Sequence, residues 1–476
     1  MPSLRPVESR IAALLFRILL PLLALSLPAI SHAQTTPAVS TILAFSGSAT
    51  SSSPVVGPGG DLYGITSTNT FVTGGLIYRS TVDGSLVQTV YQLRPEDGYG
   101  PVGGLLIDGD GLFFYGTTRL SGNQTPGTGT VFKVGTDGAG YTVLHNFAVS
   151  TGSNQSLQII NTDGAFPESA LVEGSDGYLY GVTTVGGANG TGTVFKLARD
   201  GSDFQTLHEF GPITSEEDAS PVLNDDGIVP SGPLLEGADG YFYGMAQQGG
   251  VNGAGTLFRL SFDGTEFQTL RAFPATTASD TGPATNVEGA VPVGGLTDGG
   301  DGFLYGVARA GGASGYGSVY SLAPDGSVFT VLHAFDGPNG VIPVGALLLG
   351  NDGKLYGTTS GGGTNASGDT TSFGTIFSIA RDGTEFTKLY SFDSTHGVSP
   401  VGRLLQLSDS VLVGVTASGG SCGQGTLYRF SFDGDTVTGN TRCGRRKNND
   451  SGGGSTAPAL LLILGVLGFA RRMRMA

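Results

Sequence analysis

The sequence predicts an all-β protein, a seven-bladed β-propeller with four strands in each blade. Three observations predict this fold. A unit centred on a Tyr-Gly dipeptide recurs along the chain, each unit holds four short apolar segments separated by turn signals, and an unmatched fourth-strand segment precedes the first unit. Glycine is abundant, with 82 residues, and supplies turns, while the apolar residues still suffice for a core. An open β-solenoid is the alternative architecture.

Residues 1–33 have the pattern of a secretory signal peptide. Arg5, Arg10 and Arg17 precede and interrupt a Leu-rich stretch that ends in Ser-His-Ala, so cleavage is predicted before Gln34. An N-terminal membrane anchor is the alternative. Residues 34–444 then form the repeat domain.

The Tyr-Gly dipeptides set the register of the repeat, with spacings of 51 to 65 residues. In the third unit the predicted strands are Ser169–Gly174, Tyr178–Thr184, Gly192–Ala198 and Phe204–Phe210. Asp-Gly turns join the first strand to the second and the third to the fourth, which is a strong hairpin signal. The dipeptides lie at Tyr63-Gly64, Tyr115-Gly116, Tyr180-Gly181, Tyr243-Gly244, Tyr305-Gly306 and Tyr356-Gly357, with a degenerate copy at Val413-Gly414.

The two ends of the repeat predict how the ring closes. Thr41–Gly47 resembles the fourth strands of the later units, whereas the seventh unit has no clear fourth strand of its own. Pairing the N-terminal segment with the last unit would close the ring and remove exposed sheet edges.

Three successive units carry long insertions before their first strand. In an up-and-down meander these connections share a face with the Gly-rich loops between second and third strands, so we expect an acidic face there. Long loops in compact domains are often functional. The face would bind a cation, a basic partner or a hydroxyl-rich glycan, and solvated loop variation is the alternative. Its candidate binding residues are Asp163, Glu216, Glu217, Asp218, Asp225, Asp226, Asp280 and Glu288.

No catalytic or metal-ligating constellation is evident. His145, His208 and His333 occupy one equivalent position. A position that also accepts Tyr, Arg and Leu has a structural role, which we expect on the outer strand; the other residues found there are Tyr91, Arg271, Tyr390 and, in the N-terminal strand, Leu43. His396 lies in a turn without an evident partner. No nucleophile elbow or phosphate-binding loop has the strand-to-helix context it needs, so we assign no catalytic residue and no metal ligand.

Calcium is the only cofactor that the sequence suggests. Asp108–Gly111, Asn224–Gly227 and Asp298–Gly302 each cluster oxygen ligands, but none completes a twelve-residue calcium loop ending in Glu. Ordinary hairpin turns explain them better.

The only two cysteines, Cys422 and Cys443, follow the core strands of the last unit. In an exported protein we expect them to form a disulfide that fixes the C-terminal tail to the domain.

The C-terminus combines a polar Gly/Ser-rich linker, residues 445–456, with a short apolar segment and basic tail, residues 457–476. It resembles a GlyGly-CTERM sorting tail, with the glycine motif at Gly452, Gly453 and Gly454 and the basic cluster at Arg471 and Arg472. The resemblance implies a rhomboid-type protease as a partner and transient anchoring in the inner membrane. A plain C-terminal anchor is the alternative.

The repeats resemble the bacterial GloVer tandem-repeat family, which implies export and surface display and no settled activity. The first and seventh units depart most from the family pattern. The matching residues are Asp176–Leu197, Asp239–Leu260, Asp352–Ile379 and, more weakly, Asp61–Ser80.

The excess of acidic over basic residues argues against some classes of function. Without its two terminal segments the chain keeps 37 of its 39 acidic residues but only 15 of its 24 basic ones. Such a surface disfavours nucleic acid and anionic membrane. We therefore expect a secreted or surface-displayed, non-enzymatic binding module with an unknown glycan or protein partner. An extracellular propeller lyase or glycosidase acting on polysaccharide and a structural envelope protein are the alternatives.

Overall fold

The computed structural model of the protein describes residues 36–46, 52–67, 74–121, 127–153, 159–215, 220–279, 282–364, 368 and 373–443. The fold lies in the compact unit Pro37–Ala476. The predicted signal peptide and sorting tail lie outside the described residues, as do Glu216, Glu217, Asp218 and Asp280 of the predicted binding face.

Seven four-stranded antiparallel sheets form the blades of a β-propeller, which confirms the predicted fold class. The first strands of adjacent blades contact one another, so they are the innermost strands. The strands outside blade 7 are, in chain order, β2 (Val55–Val56), β3 (Leu62–Thr66), β4 (Leu76–Ser80) and β5 (Val87–Gln92) in blade 1; β6 (Leu106–Ile107), β7 (Phe113–Thr118), β8 (Thr130–Gly135) and β9 (Thr142–Asn146) in blade 2; the small hairpin β10 (Gly152–Ser153) and β11 (Ile159–Ile160); β12 (Val172–Glu173), β13 (Leu179–Thr183), β14 (Thr193–Leu197) and β15 (Gln205–Glu209) in blade 3; β16 (Ile228–Glu236), β17 (Tyr241–Gln248), β18 (Thr256–Ser261) and β19 (Phe267–Ala272) in blade 4; β20 (Ala290–Asp298), β21 (Leu304–Ala310), β22 (Ser318–Leu322) and β23 (Phe329–Ala334) in blade 5; and β24 (Val341–Leu349), β25 (Leu355–Gly361), β26 (Thr375–Ile379) and β27 (Thr387–Ser391) in blade 6.

Blade 7 closes the ring as the sequence predicts. Its strands are β28 (Val398–Ser408), β29 (Val411–Ser418), β30 (Thr426–Ser431) and, as the fourth, the N-terminal β1 (Ala38–Ala44). The register of β1 on β30 shifts between Thr41 and Leu43, at the place where every other blade has a bulge between its third and fourth strands. The N-terminal segment is therefore a true fourth strand, and the closed ring excludes the open solenoid.

The chain then returns along the outside of β1. The backbone N–H of Asn440 donates to the carbonyl of Ile42, and the N–H of Ala44 donates to the carbonyl of Asn440. A disulfide joins Cys422 to Cys443, which confirms the predicted pair. The bond ties this returning segment to the loop between β29 and β30.

The Tyr-Gly dipeptide is a packing device. Tyr180 is fully buried against Phe242 of the next blade, with 4.2 Å between ring centroids, and its hydroxyl donates to Asp176 of the preceding Asp-Gly turn at 2.7 Å. A Cβ on Gly181 would lie 2.6 Å from the ring of Phe195, so only glycine fits beneath that ring. The motif thus packs one blade against the next and anchors the turn.

A Gly-Pro contact lies at six of the seven junctions between blades. A Cβ on Gly192 of blade 3 would lie 2.5 Å from the Cδ of Pro230 in blade 4. The residue before that proline, Val229, has φ of 59°, a conformation that β-branched residues rarely adopt. Its backbone N–H donates to the carbonyl of Thr191 across the junction. The same conformation recurs at Phe166, Val291, Ile342 and Ser399.

Two 3₁₀ turns, Pro58–Gly60 and Pro95–Asp97, are the helical segments of the described chain. Within those residues no helix is long and apolar enough to span a membrane.

Candidate functional site

The three insertions lie on the face that the blade-to-blade connections share with the loops between second and third strands. We call it the insertion face, and the opposite one, formed by the Asp-Gly turns, the hairpin face. The insertions are residues 148–163, 211–226 and 274–288, and β10 and β11 form a hairpin in the first. They touch the Gly-rich loops of the following blades, which agrees with the sequence prediction.

An asparagine holds the base of each insertion, and it is buried in the first two. In the second insertion, Asn224 is 1 % exposed. Its Nδ2 donates to the carbonyls of Gly211 and Gly227, and its Oδ1 accepts from the N–H groups of Gly227 and Gly250. Gly250 has φ of 73°, in the left-handed region that suits glycine and presents this N–H. The amide therefore ties both ends of the insertion to the neighbouring loop.

Asn161 and Asn286 make the equivalent bonds in the other two insertions. None of these three asparagines was predicted from the sequence. The signal was present as Asn-x-(Asp/Glu)-Gly, repeated in front of Ile228, Ala290 and Ala165. One of its copies, Asn224–Gly227, is the stretch that was considered for calcium.

The acidic residue of this motif pairs with the fourth strand. Asp226 Oδ2 lies 3.0 Å from His208 Nε2, and its carboxylate also accepts from the N–H of Gly211. In the first insertion Asp163 lies 2.9 Å from His145 Nε2. In the third, Arg271 donates to Glu288 from its Nε at 3.0 Å. Three of the predicted binding carboxylates are thus engaged inside the protein.

The fourth-strand partner also stacks on the next blade. His208 lies 3.6 Å from Phe267, centroid to centroid, with the planes 3° apart. His145 stacks on Phe204 in the same way, and Arg271 covers Phe329. In blades 2, 3 and 4 this fourth-strand position therefore holds a flat group that stacks on the next blade and also pairs with a carboxylate.

In the junctions without a long insertion, the fourth-strand side chain also stacks on the next blade, but its polar partner differs. Tyr91 stacks on Tyr141 and donates to Asp97 at 2.8 Å. His333 stacks on Phe386, but Asn339 stands where Asp226 stands in the second insertion, and His333 Nε2 is buried without a hydrogen-bond partner among the described residues. Burial lowers the pKa of His333.

His396 corrects a prediction. It was expected to lack a partner, but its Nδ1 lies 2.9 Å from Asp393 and 3.3 Å from the Tyr390 hydroxyl. The contact forms because the turn Asp393–His396 folds back on itself, with Asp393 also accepting the N–H of His396.

The remaining acidic residues of the predicted face differ in placement. Asp225 is exposed and turned away from the clasp formed by Asn224 and Asp226. The turns considered for calcium use their carboxylates locally, since Asp108 Oδ1 accepts the N–H groups of Leu112 and Phe113, and Asp298 accepts that of Gly300. In the described part of the chain no three His, Cys, Asp or Glu residues are grouped as metal ligands would be.

One ion pair lies where the insertion face meets the innermost strands. Arg119 Nε donates to Glu168 Oε1 at 2.8 Å, and its guanidinium covers Phe166. Burial raises the pKa of Glu168, although the charge of Arg119 opposes the shift. Most glycosidases place two carboxylates on either side of the scissile bond. Glu168 instead faces a cation.

Comparison with solved structures shows the fold alone. Similar chains include an oligogalacturonate lyase in complex with manganese (10 % identity, TM-score 0.50, covering 84 % of this chain and 94 % of that one) and a GH74 enzyme from Niastella koreensis (14 % identity, TM-score 0.49, covering 83 % and 55 %). A chain of a nidogen/laminin complex is also similar (13 % identity, TM-score 0.38, covering 68 % and 92 %).

No curated protein sequence matches this chain significantly. The profile of the Gloeobacter/Verrucomicrobia repeat, in contrast, matches residues 162–370 and 282–441, more than half of the sequence. These matches cover the second and third insertions with their clasps, and the strands β28 to β30 of the closing blade. The chain therefore belongs to the Gloeobacter/Verrucomicrobia repeat family.

Proposed function

We propose that the protein is a secreted or surface-displayed, non-enzymatic binding module that presents its insertion face to a glycan or protein partner. The observation that carries the proposal is the repeated clasp. Three consecutive insertions are held at their bases by the same asparagine and by an equivalent acidic residue. Loops that merely vary in length have no need of a common anchor.

The clasps change which residues offer charge to a partner. Asp163, Asp226 and Glu288 are paired within the protein and orient the loops. Of the other predicted acidic residues, Asp225 is exposed, whereas Glu216, Glu217, Asp218 and Asp280 lie outside the described residues. We infer that a partner binds through these five. A basic protein surface or a hydroxyl-rich glycan suits such a set. The disulfide, which persists in oxidising compartments, and the family membership support a location outside the cytoplasm.

The test is a thermal-shift screen of the mature protein against calcium, other cations and a panel of surface polysaccharides and basic proteins. A ligand at a hundredfold excess over its Kd stabilises the folded state by about 2.7 kcal/mol. We expect a shift that is lost in the variant Glu216→Gln, Glu217→Gln, Asp218→Asn.

A charge-matched control keeps the insertion face intact. Asp137→Asn, Asp200→Asn and Asp325→Asn remove three charges from the hairpin face, and an Asn oxygen can still accept the turn N–H that each Asp accepts. This variant should respond to the ligand like the native protein. No shift with any ligand, or equal loss of the shift in both variants, would contradict binding through the insertion face.

A further inference from the structure

One residue per blade, on the innermost strand or just before it, lies around the axis of the propeller. In blades 1 to 3 this residue lies two positions before the first strand. In blades 4 to 7 this residue is the middle one of a three-residue bulge, for example between Val401 and Leu405 in β28. Bulges of this kind re-aim side chains. We call these residues the axial ring: Ser53, Gly104, Ala170, Pro233, Gly295, Ala346 and Arg403.

Neighbouring members of the axial ring lie close together. A Cβ on Gly104 would be 3.7 Å from that of Ala170, and a Cβ on Gly295 would be 3.1 Å from Pro233 Cδ. Six of the seven residues are Gly, Ala, Ser or Pro, so space is left beside the seventh. Arg403 is the only charged member of the ring.

Arg403 has no counter-charge among the residues that the structure describes. Its backbone N–H donates to Ser53 Oγ at 2.6 Å, and no hydrogen bond or ion pair of its guanidinium is found. By contrast, Arg79 and Arg381 pair with Asp61 and Asp301. Solvent reaches the Arg403 side chain, yet the surrounding protein removes enough water to lower its pKa.

A partly desolvated guanidinium with no partner is costly to maintain, and it retains five N–H donors in the geometry that binds carboxylates in pairs. The acidic surface of the protein disfavours extended polyanions, and the short distances between neighbouring members of the axial ring favour a small group. We propose that the axial ring is a carboxylate site, in which Arg403 binds a small organic acid or the carboxylate of a single uronic acid residue. This site is separate from the insertion face.

Calorimetric titration of the mature protein with D-glucuronate, with neutral D-glucose as the matched control, tests the proposal. Glucuronate should bind and glucose should not. Arg403→Gln should weaken binding about tenfold or more, as expected when charge-assisted hydrogen bonds are lost, and Arg403→Lys should lie between. Arg94→Gln, which removes an exposed charge elsewhere, should bind like the native protein. An oligouronide compared with the monomer distinguishes a glycan end from a free acid as the source.

A stability measurement separates a binding role from a structural one. Without ligand, Arg403→Gln should unfold at the same temperature as the native protein or higher, because it removes an unpaired charge. A lower unfolding temperature would show that Arg403 supports the ring itself and would overturn the proposal. Absence of glucuronate and oligouronide binding, or equal binding by Arg403→Gln, would also overturn it.

Discussion

Two junctions, between blades 3 and 4 and between blades 5 and 6, pack one blade on the next with different sets of side chains. Both stack a histidine of the fourth strand, His208 or His333, on a phenylalanine of the next blade at 3.6 Å. Only the first adds a carboxylate, Asp226, and a long insertion held by Asn224. Two blades therefore join without the carboxylate and the asparagine, which serve the insertion.

This difference between the junctions explains why acidic residues are concentrated in the longest connections between blades. An insertion must be ordered at an entropic cost that rises with the number of residues fixed. In blade 4 that cost is offset at the base, where a few buried hydrogen bonds fix both ends of the insertion. The junction at His333 has only four residues between Phe335 and Gly340, and it uses an Asp336–Asn339 contact at the surface instead.

The largest effect is expected from Asn224→Ala. The change leaves four backbone groups, three of them buried, without their amide partner, so the free energy of unfolding should fall by about 2–4 kcal/mol. Chemical denaturation measures this fall, and limited proteolysis should cut the second insertion first. Asn339→Ala at the other junction is the control and should cost less than about 1 kcal/mol. Equal losses would mean that the asparagine clasp is not specific to insertions.

Asp226→Ala should have the next largest effect. It removes the acceptor of the His208 ring, the Gly211 N–H and one Asn224 hydrogen, and about 2 kcal/mol of stability should be lost. Asp225→Ala, next to it in sequence but exposed, should change stability by less than about 0.5 kcal/mol. If the two variants were equally destabilised, the assignment of Asp226 to the clasp would be wrong.

The smallest expected effect is the dependence of stability on pH that His333 causes. Burial holds its pKa in the folded protein below the ordinary value of 6.5, despite the nearby charge of Asp336. The unfolded chain therefore takes up the proton first, so the contribution of His333 to stability is complete above pH 6.5 and is lost as the pH falls below it.

The variant Asn339→Asp tests whether the missing carboxylate accounts for the lowered pKa of His333, because it supplies the partner that His208 already has. The new partner should raise the pKa of His333 and recover up to about 1 kcal/mol of stability at pH 5.5 relative to pH 7.5. Thermal unfolding at the two pH values and an NMR titration of the ring measure the change. An unchanged pKa would show that the Asp and Asn positions of the two junctions are not equivalent.

The sequence by itself determined the fold class, the number of blades and the closure of the ring. Its information is local and periodic. Asp-Gly turns, alternating apolar residues and the Tyr-Gly register each act within a few residues, and seven repetitions strengthen a weak signal. The unmatched segment around Leu43 specified the closure because a sheet edge needs a partner. The disulfide followed from there being only two cysteines.

Only the tertiary structure decided what the polar residues do. Asp163 and His145 are 18 residues apart, and folding brings them to 2.9 Å, so carboxylates that looked available for a ligand are anchors. Arg403 shows the reverse case. In the sequence it is one basic residue in an apolar strand, and it becomes a solitary cation at the axis only because seven inner strands converge there. The repeat period shows which residues occupy equivalent positions in different blades, whereas the closed ring determines which residues contact one another.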